Sequence, residues 1–197
     1  MENSQIKQGA EAHVELKENK VVKDRREKSY RHPDLDKRLR SERTSEESRR
    51  ISQANKYGVN TPKVLETDKF SLEMEKIEGS KLRDIIEDSI EPLEELGRQI
   101  GILHNEDIIH GDLTTSNIIV KNSRKVFIID FGLSQHSTRI EDKAVDIHLL
   151  KQVLETSHSC VFDEAWSLFV DSYRSTVEDS GVILERLEEV ELRGRYK

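Results

Sequence analysis

The segment His110-Gly111-Asp112-Leu113-Thr114-Thr115-Ser116-Asn117 is followed, thirteen residues past its asparagine, by Asp130-Phe131-Gly132. Those residue types at that spacing suit phosphoryl transfer. Moving a γ-phosphoryl group needs a carboxylate to orient the acceptor, a neutral oxygen ligand for one Mg²⁺, and a second carboxylate to hold metal against the phosphates. Asp112 is the candidate catalytic carboxylate, and Asn117 and Asp130 are the candidate metal ligands. Asp-Phe-Gly alone would be weak, and either aspartate alone could cap a helix or close a turn. Their context is stronger: residues 117–120 and 126–129 are apolar, β-branched runs flanking Asn122-Ser123, a predicted short hairpin with a ligand at each end.

Such a site needs elements to bring phosphates to it. Residues 6–23 read as two or three short strands, with a turn over 7–12, alternation over 13–16 and a closing strand over 20–23. The turn would cover the phosphates through Gly9 and Ala10, although it holds a single glycine. Lys23, after Val21-Val22, is placed to meet the α- and β-phosphates, and such a lysine requires a helical glutamate. A helix opening at Pro33-Asp34 sets Leu35, Leu39, Arg43, Glu47 and Ile51 at four-residue steps, so Glu47 is expected inward and Glu46 in solvent. The basic residues between Lys20 and Arg50, Arg25 among them, alternate with acids. They read as a solvated face, with a patch for a phosphate-rich partner such as RNA as the alternative.

Strands over 64–66 and 70–74 then lead into a connector over 75–79. As a hinge, it would put Met74 at the back of an adenine pocket and offer the Glu75 carbonyl and Ile77 amide to the base. Leu93, Leu96, Ile100 and Leu103 predict a helix started by Pro92, and Val145, Ile147, Leu149, Leu150, Val153 and Leu154 a further buried one. No Ala-Pro-Glu follows the loop after Gly132, so a platform for extended peptide substrates is expected to be reduced or missing. Ser134, Ser137 and Thr138 read as ordinary exposed loop hydroxyls.

At 197 residues, the chain suits an α+β, minimal bilobal kinase-like fold. Residues 1–77 would form an N-terminal lobe, a small antiparallel sheet with the glutamate-bearing helix, and 78–197 a reduced, mainly helical C-terminal lobe. Charged residues are 36% of the chain, aromatics 5%, and the formal charge is −7, which gives a highly charged surface. The single cysteine, Cys160, excludes an internal disulfide and reads as a small buried hydrophobe on a helix. With a polar N-terminus and no apolar run of spanning length, a soluble cytoplasmic protein with no membrane partner is expected.

The chain resembles the small atypical kinases of the KEOPS (EKC) complex, known in animals as p53-related protein kinases. The likeness rests on Lys23, Tyr30-Arg31-His32-Pro33, Glu47, Met74-Glu75, Gly79, Thr114-Thr115-Ser116-Asn117, Asp130-Phe131-Gly132, residues 141–146 and Arg193-Gly194-Arg195. It implies an ATP-hydrolysing, autophosphorylating subunit using Mg²⁺, or Mn²⁺ in its place, in support of threonylcarbamoyl transfer to adenosine in the tRNA anticodon loop. It also implies that the C-terminal lobe docks on a transferase subunit and the N-terminal lobe on a small subunit. Asp146 would brace the catalytic loop, and Arg193, Arg195, Tyr196 and Lys197 would form a basic tail toward tRNA or the transferase. Thr114 and the depleted glycine turn depart from ordinary kinases and should slow transfer to protein without preventing ATP hydrolysis. Two other readings are a small-molecule kinase of the aminoglycoside or choline type, which usually has a larger C-terminal lobe, and a pseudokinase scaffold, which has no need of all five site residues.

Overall fold

The computed structural model describes residues 5–8 and 12–194, so the expectations for Gly9, Ala10, Arg195, Tyr196 and Lys197 lie outside the described residues. Five antiparallel strands, β1 (Gln5–Gln8), β2 (His13–Leu16), β3 (Lys20–Asp24), β4 (Val64–Thr67) and β5 (Ser71–Glu75), form one sheet in the order β1-β2-β3-β5-β4. Lys7 and Gln8 belong to β1, so that strand takes the first two residues of the expected turn over 7–12. Lys23 lies on the central strand opposite Val14 of β2 and Leu72 of β5, so backbone pairing on both sides fixes where its side chain leaves the sheet.

Helix α1 (Pro33–Lys56) packs on this sheet, and its inward face differs from the expected one. Leu35 is 43% exposed and Leu39 and Arg43 are only half-buried, whereas Asp36, Thr44, Glu47, Ile51 and Ala54 are buried. Four-residue steps advance about 40° per step past a full turn, so a face started at Ile51 has rotated away by Leu35. The buried row instead runs from Asp36 through half-buried Arg40 to Thr44, Glu47, Ile51 and Ala54, in steps of four and three, and it carries polar residues through the sheet-facing side. Glu47 lies on both rows and Glu46 is exposed, as expected.

Past Glu75 the connector runs to β6 (Ser80–Lys81), which joins β8 (Ile118–Lys121) and β9 (Lys125–Ile128) in a second antiparallel sheet. The hairpin turn uses the left-handed region at Asn122 (φ 52°) and Ser123 (φ 63°), residues suited to such a turn. Helix α2 (Leu82–Ile85) is short, and α3 (Pro92–Asn105) buries Leu93, Leu96, Ile100 and Leu103 completely. Strand β7 (Ile108–Ile109) pairs with β10 (Gln135–His136), which ties the loop after Asp130 to the strand before the catalytic loop.

Helices α4 (Ile140–Ser157), α5 (Phe162–Thr176) and α6 (Ser180–Gly194) complete the described chain. On α4, Ile147, Leu150 and Leu154 are buried, but Val145 is 41% exposed and Leu149 and Val153 only partly covered, because six apolar residues in ten cannot share one helical face. Cys160 is exposed in the turn between α4 and α5, not buried on a helix, because α4 ends at Ser157 and α5 starts at Phe162. Arg193 Nη1 meets Glu141 of α4 at 2.9 Å, while Lys151 of α4 meets Glu191 at 2.6 Å, so α6 is pinned along α4 by reciprocal ion pairs. One hydrophobic core runs from Ile51, Leu72 and Met74 through α3 to Phe131, Ile147 and Phe169. No helix of the described residues is long and apolar enough to cross a membrane.

Candidate active site

A cavity of about 420 Å³ opens between the five-stranded sheet and the β8–β9 hairpin. Val14 and Val21 line its roof, Met74 and Ile77 its connector side, and Ile119 and Ile129 its floor. Lys23, Glu47, Asn117, Asp130 and Glu75 also line it. A larger groove of about 660 Å³, between the start of α3 and the end of α5, is lined by residues such as Glu94, Arg98 and Ser172 and holds none of the motif residues. Residue chemistry, rather than volume, makes the first the candidate functional cleft.

Lys23 Nζ donates to Glu47 Oε1 at 2.8 Å and to Asp130 Oδ1 at 2.6 Å. Burial works against the ammonium's charge, but Glu47 and then Asp130 more than offset it and raise the Lys23 pKa above the ordinary lysine value. Burial likewise works against the Asp130 carboxylate, yet Lys23 and the Gly132 N–H bond hold its pKa below the usual range. Both groups are therefore charged at neutral pH. Asp130 also has φ 64°, a left-handed conformation that aspartate tolerates better than most residues. Phe131 is buried edge-on against the His110 ring, 5.0 Å between centroids, and anchors the backbone beside it.

The catalytic loop hangs from Asp146 on α4. Its carboxylate is fully buried and accepts the His110 and Gly111 N–H groups, each at 2.8 Å. His104 Nε2 adds a third contact at 3.3 Å, and Tyr173 Oη meets the other nitrogen of that ring at 2.9 Å. Burial opposes ionisation of Asp146, but its hydrogen bond and proximity to His104 pull its pKa below the ordinary value. Burial, followed by the Asp146 charge, pushes the Tyr173 phenol well above its usual range, so it stays protonated. Within the loop, His110 Nε2–H donates to the Ile129 carbonyl at 3.1 Å and its Nδ1 accepts from the Asp112 N–H at 3.3 Å, a pattern that assigns the tautomer.

Asn117 ends a 3-10 turn (Thr115–Asn117), and its Nδ2 donates to the Asp112 carbonyl at 2.9 Å and to Asp112 Oδ2 at 2.8 Å. Both bonds use the amide nitrogen, so Oδ1 is the atom a cation would take. The structure thus brings Lys23, Glu47, Asn117 and Asp130 to one cavity, with Asp112 bonded to Asn117 and Asp146 behind. An amide oxygen and a carboxylate are hard ligands, and Mg²⁺ commonly takes one or two carboxylates and completes its shell with phosphate and water. The residues fit that ion. Among the described residues no cluster of three or more His, Cys, Asp or Glu could hold a metal without a ligand's help.

Gly111 has φ 80°, and a Cβ there would lie 2.4 Å from the Leu133 carbonyl oxygen. This close approach joins the catalytic loop to the loop after Phe131 and leaves no room for a side chain at Gly111. Gly111→Ala is expected to destabilise the protein by about 2–3 kcal/mol through strain and clash, and to lower ATP turnover; thermal melts and steady-state rates check it, and an unshifted melt would contradict it. Ser134 and Ser137 are not free hydroxyls: they donate to the Phe131 carbonyl at 2.6 Å and to Asp142 Oδ2 at 2.5 Å. Arg193, expected in the basic tail, lies in α6 and pairs with Glu141 of α4.

Sequence reasoning missed three supports. Arg25, read as part of a solvated face, is 2% exposed and bonded to Glu47. His158 holds Thr115 Oγ1 at 3.2 Å under the 3-10 turn, and the His104–Tyr173 pair stands behind Asp146. A signal existed for Arg25 alone, in its i+2 spacing from Lys23.

The model of the RIO domain matches residues 6–155. The KEOPS complex subunit Bud32 of Pyrococcus abyssi is 42% identical over 211 residues, covering 98% of this chain and 96% of that protein. A probable bifunctional tRNA threonylcarbamoyladenosine biosynthesis protein of Methanospirillum hungatei is 46% identical over 190 residues, covering 95% of this chain but 35% of that protein. The chain thus spans about a third of the length of such bifunctional relatives. Among solved structures, the Rio2 kinase of Chaetomium thermophilum in complex with ADP/Mg²⁺ and phosphoaspartate covers all of the chain and 72% of its own length at a TM-score of 0.66. At 15% identity, that likeness shows the small sheet, helix and helical lobe of a minimal bilobal kinase fold. By matched domain and by near full-length similarity, the chain belongs to the RIO-domain kinases and, among them, to the family of the KEOPS complex subunit Bud32.

Proposed function

We propose that this cleft binds ATP with Mg²⁺ and cleaves its γ-phosphoryl bond in support of threonylcarbamoylation of adenosine in the tRNA anticodon loop, as the atypical kinase or ATPase subunit of a KEOPS-type assembly. The observation that carries the chemistry is the Lys23–Glu47–Asp130 cluster facing the cavity that also holds Asn117, with Asp112 bonded to it. Mg²⁺, when bound, neutralises the phosphate charge and aligns the reacting oxygens. Lys23 supplies the fixed positive charge for the phosphates, and Glu47 holds it there. Asn117 and Asp130 offer the metal two oxygens. Asp112 orients the acceptor, water or hydroxyl, and takes up its proton at a carboxylate oxygen. Met74 backs the adenine while the Glu75 carbonyl and Ile77 amide pair with its edge.

The role in tRNA modification draws on the relatives, one named a KEOPS subunit and others named for threonylcarbamoyladenosine biosynthesis. In this reading, residues 1–77 form the lobe that meets a small subunit, residues 78–197 the lobe that meets the transferase, and the assembly, with tRNA, works in the cytoplasm. The basic residues Arg193, Arg195 and Lys197 serve contact with tRNA or the transferase in the same reading.

The test is ATP hydrolysis by the purified chain, alone and with tRNA and a transferase partner. Turnover is expected to rise with the partner, and Asp112→Ala to lose about 10²-fold or more in rate while binding nucleotide normally. Full turnover by Asp112→Ala would remove that carboxylate from the mechanism. Phosphoryl transfer to a metabolite with no partner effect would point instead to a small-molecule kinase.

A further inference from the structure

Glu47 serves two cations. Its Oε1 accepts from Lys23 at 2.8 Å and its Oε2 from an Arg25 guanidinium nitrogen at 2.5 Å, with no part of its side chain exposed. Arg25 lies two residues past Lys23, and the bond from its N–H to the Phe70 carbonyl at 2.9 Å keeps the chain extended beyond β3. Residues i and i+2 of an extended chain leave one face, so both cations approach the same carboxylate. Arg40 of α1 fixes Arg25 from behind: it donates to the Arg25 carbonyl at 3.1 Å, lies 4.1 Å over the Phe70 ring and pairs with Asp36 at 2.6 Å. Among the described residues, the Arg25 guanidinium also reaches Thr44 Oγ1, at 3.5 Å.

The charges decide what this arrangement does. Glu47 and Asp130 are balanced by Lys23 and Arg25. Without Arg25, one buried Glu47 oxygen would have no cation, and a buried unpaired carboxylate oxygen is costly. The Lys23 ammonium would be drawn across both oxygens and turned from the cavity. With Arg25 in place, one oxygen is already occupied, and Lys23 keeps donor capacity for a ligand. We infer that Arg25 is a positioning residue for nucleotide: it holds one side of Glu47 permanently, locks α1 to β3, and leaves Lys23 aimed at the phosphates before ATP arrives. This rests on the reading of the cavity as an ATP site.

The experiment compares the full-length chain with Arg25→Met, Glu47→Gln and the double variant, by calorimetric ATP binding and steady-state turnover. Arg25→Met is expected to weaken ATP binding and raise KM by about tenfold or more, with kcat at saturating ATP within about threefold. In the Glu47→Gln background, the same change should add less than about twofold, because its effect passes through Glu47. A merely structural role would lower the melting temperature equally in both backgrounds and leave KM alone. Unchanged ATP affinity in Arg25→Met, or effects that multiply in the double variant, would overturn the inference. If Arg25→Met does not fold, Arg25→Gln carries the same expectations. A wild-type chain that binds no ATP would refute the nucleotide site itself, a different outcome from failure of Arg25 alone.

Discussion

Asp130→Ala is expected to cut Mg²⁺-dependent ATP turnover by more than about 10³-fold, since it removes the charged group proposed to hold the metal, at a site where phosphoryl transfer relies mostly on positioning and electrostatics. The fold should survive. The Asp130 side chain is 46% exposed, and Lys23 keeps Glu47 as a buried partner. Nucleotide binding without Mg²⁺ should stay within about threefold of wild type, because Lys23 still faces the phosphates. Asp130→Asn separates charge from conformation: asparagine also tolerates φ near 64°, so it preserves the loop and removes only the anion. Rates measured across a Mg²⁺ titration decide the matter. Either variant retaining a tenth of wild-type turnover would remove Asp130 from the metal site.

Asp146→Ala should be the most destabilising change at the site. It strands the His110 and Gly111 N–H groups and the His104 ring in a dry interior, at a cost of about 3–5 kcal/mol. For a chain of this size that corresponds to a fall in Tm of roughly 10 °C, with loss of turnover because the strand-to-loop corner that aims Asp112 is released. The pH dependence follows from the depressed Asp146 pKa. A carboxylate with a lower pKa folded than unfolded contributes its stability above the unfolded value, about 3.9, and loses it as pH falls through the folded value. The stability gap between wild type and Asp146→Ala should therefore be constant near neutrality and shrink below about pH 4. A gap that stayed constant down to acid pH, or a variant melting with the wild type, would mean that Asp146 does not carry the loop as an anion.

The catalytic loop, the Asp-Phe-Gly corner and the hairpin between them were legible because their chemistry is local: turn residues, β-branched runs and charged ligands lie within a short stretch. Helix α3 was legible because Leu93, Leu96, Ile100 and Leu103 follow the helical repeat closely and are all buried. Helix α1 was harder. Its inward face holds Asp36, Thr44 and Glu47, and polarity conceals burial from any reading by hydrophobic pattern. Arg25 was hidden for the same reason, and only its i+2 spacing from Lys23 set it apart from a solvated arginine. The supports from His104, Tyr173 and His158 join residues 42 to 69 positions apart, and no local pattern announces such contacts.

Asp130 sits in a left-handed backbone conformation with Lys23 as its side-chain tether, and Lys23 is at once the cation offered to phosphate. One ammonium thus underwrites two functions that sequence comparison would count separately. Loss of that lysine would therefore remove the cation proposed for phosphate and one anchor of the Asp130 side chain in a single step, leaving the Gly132 N–H as the other.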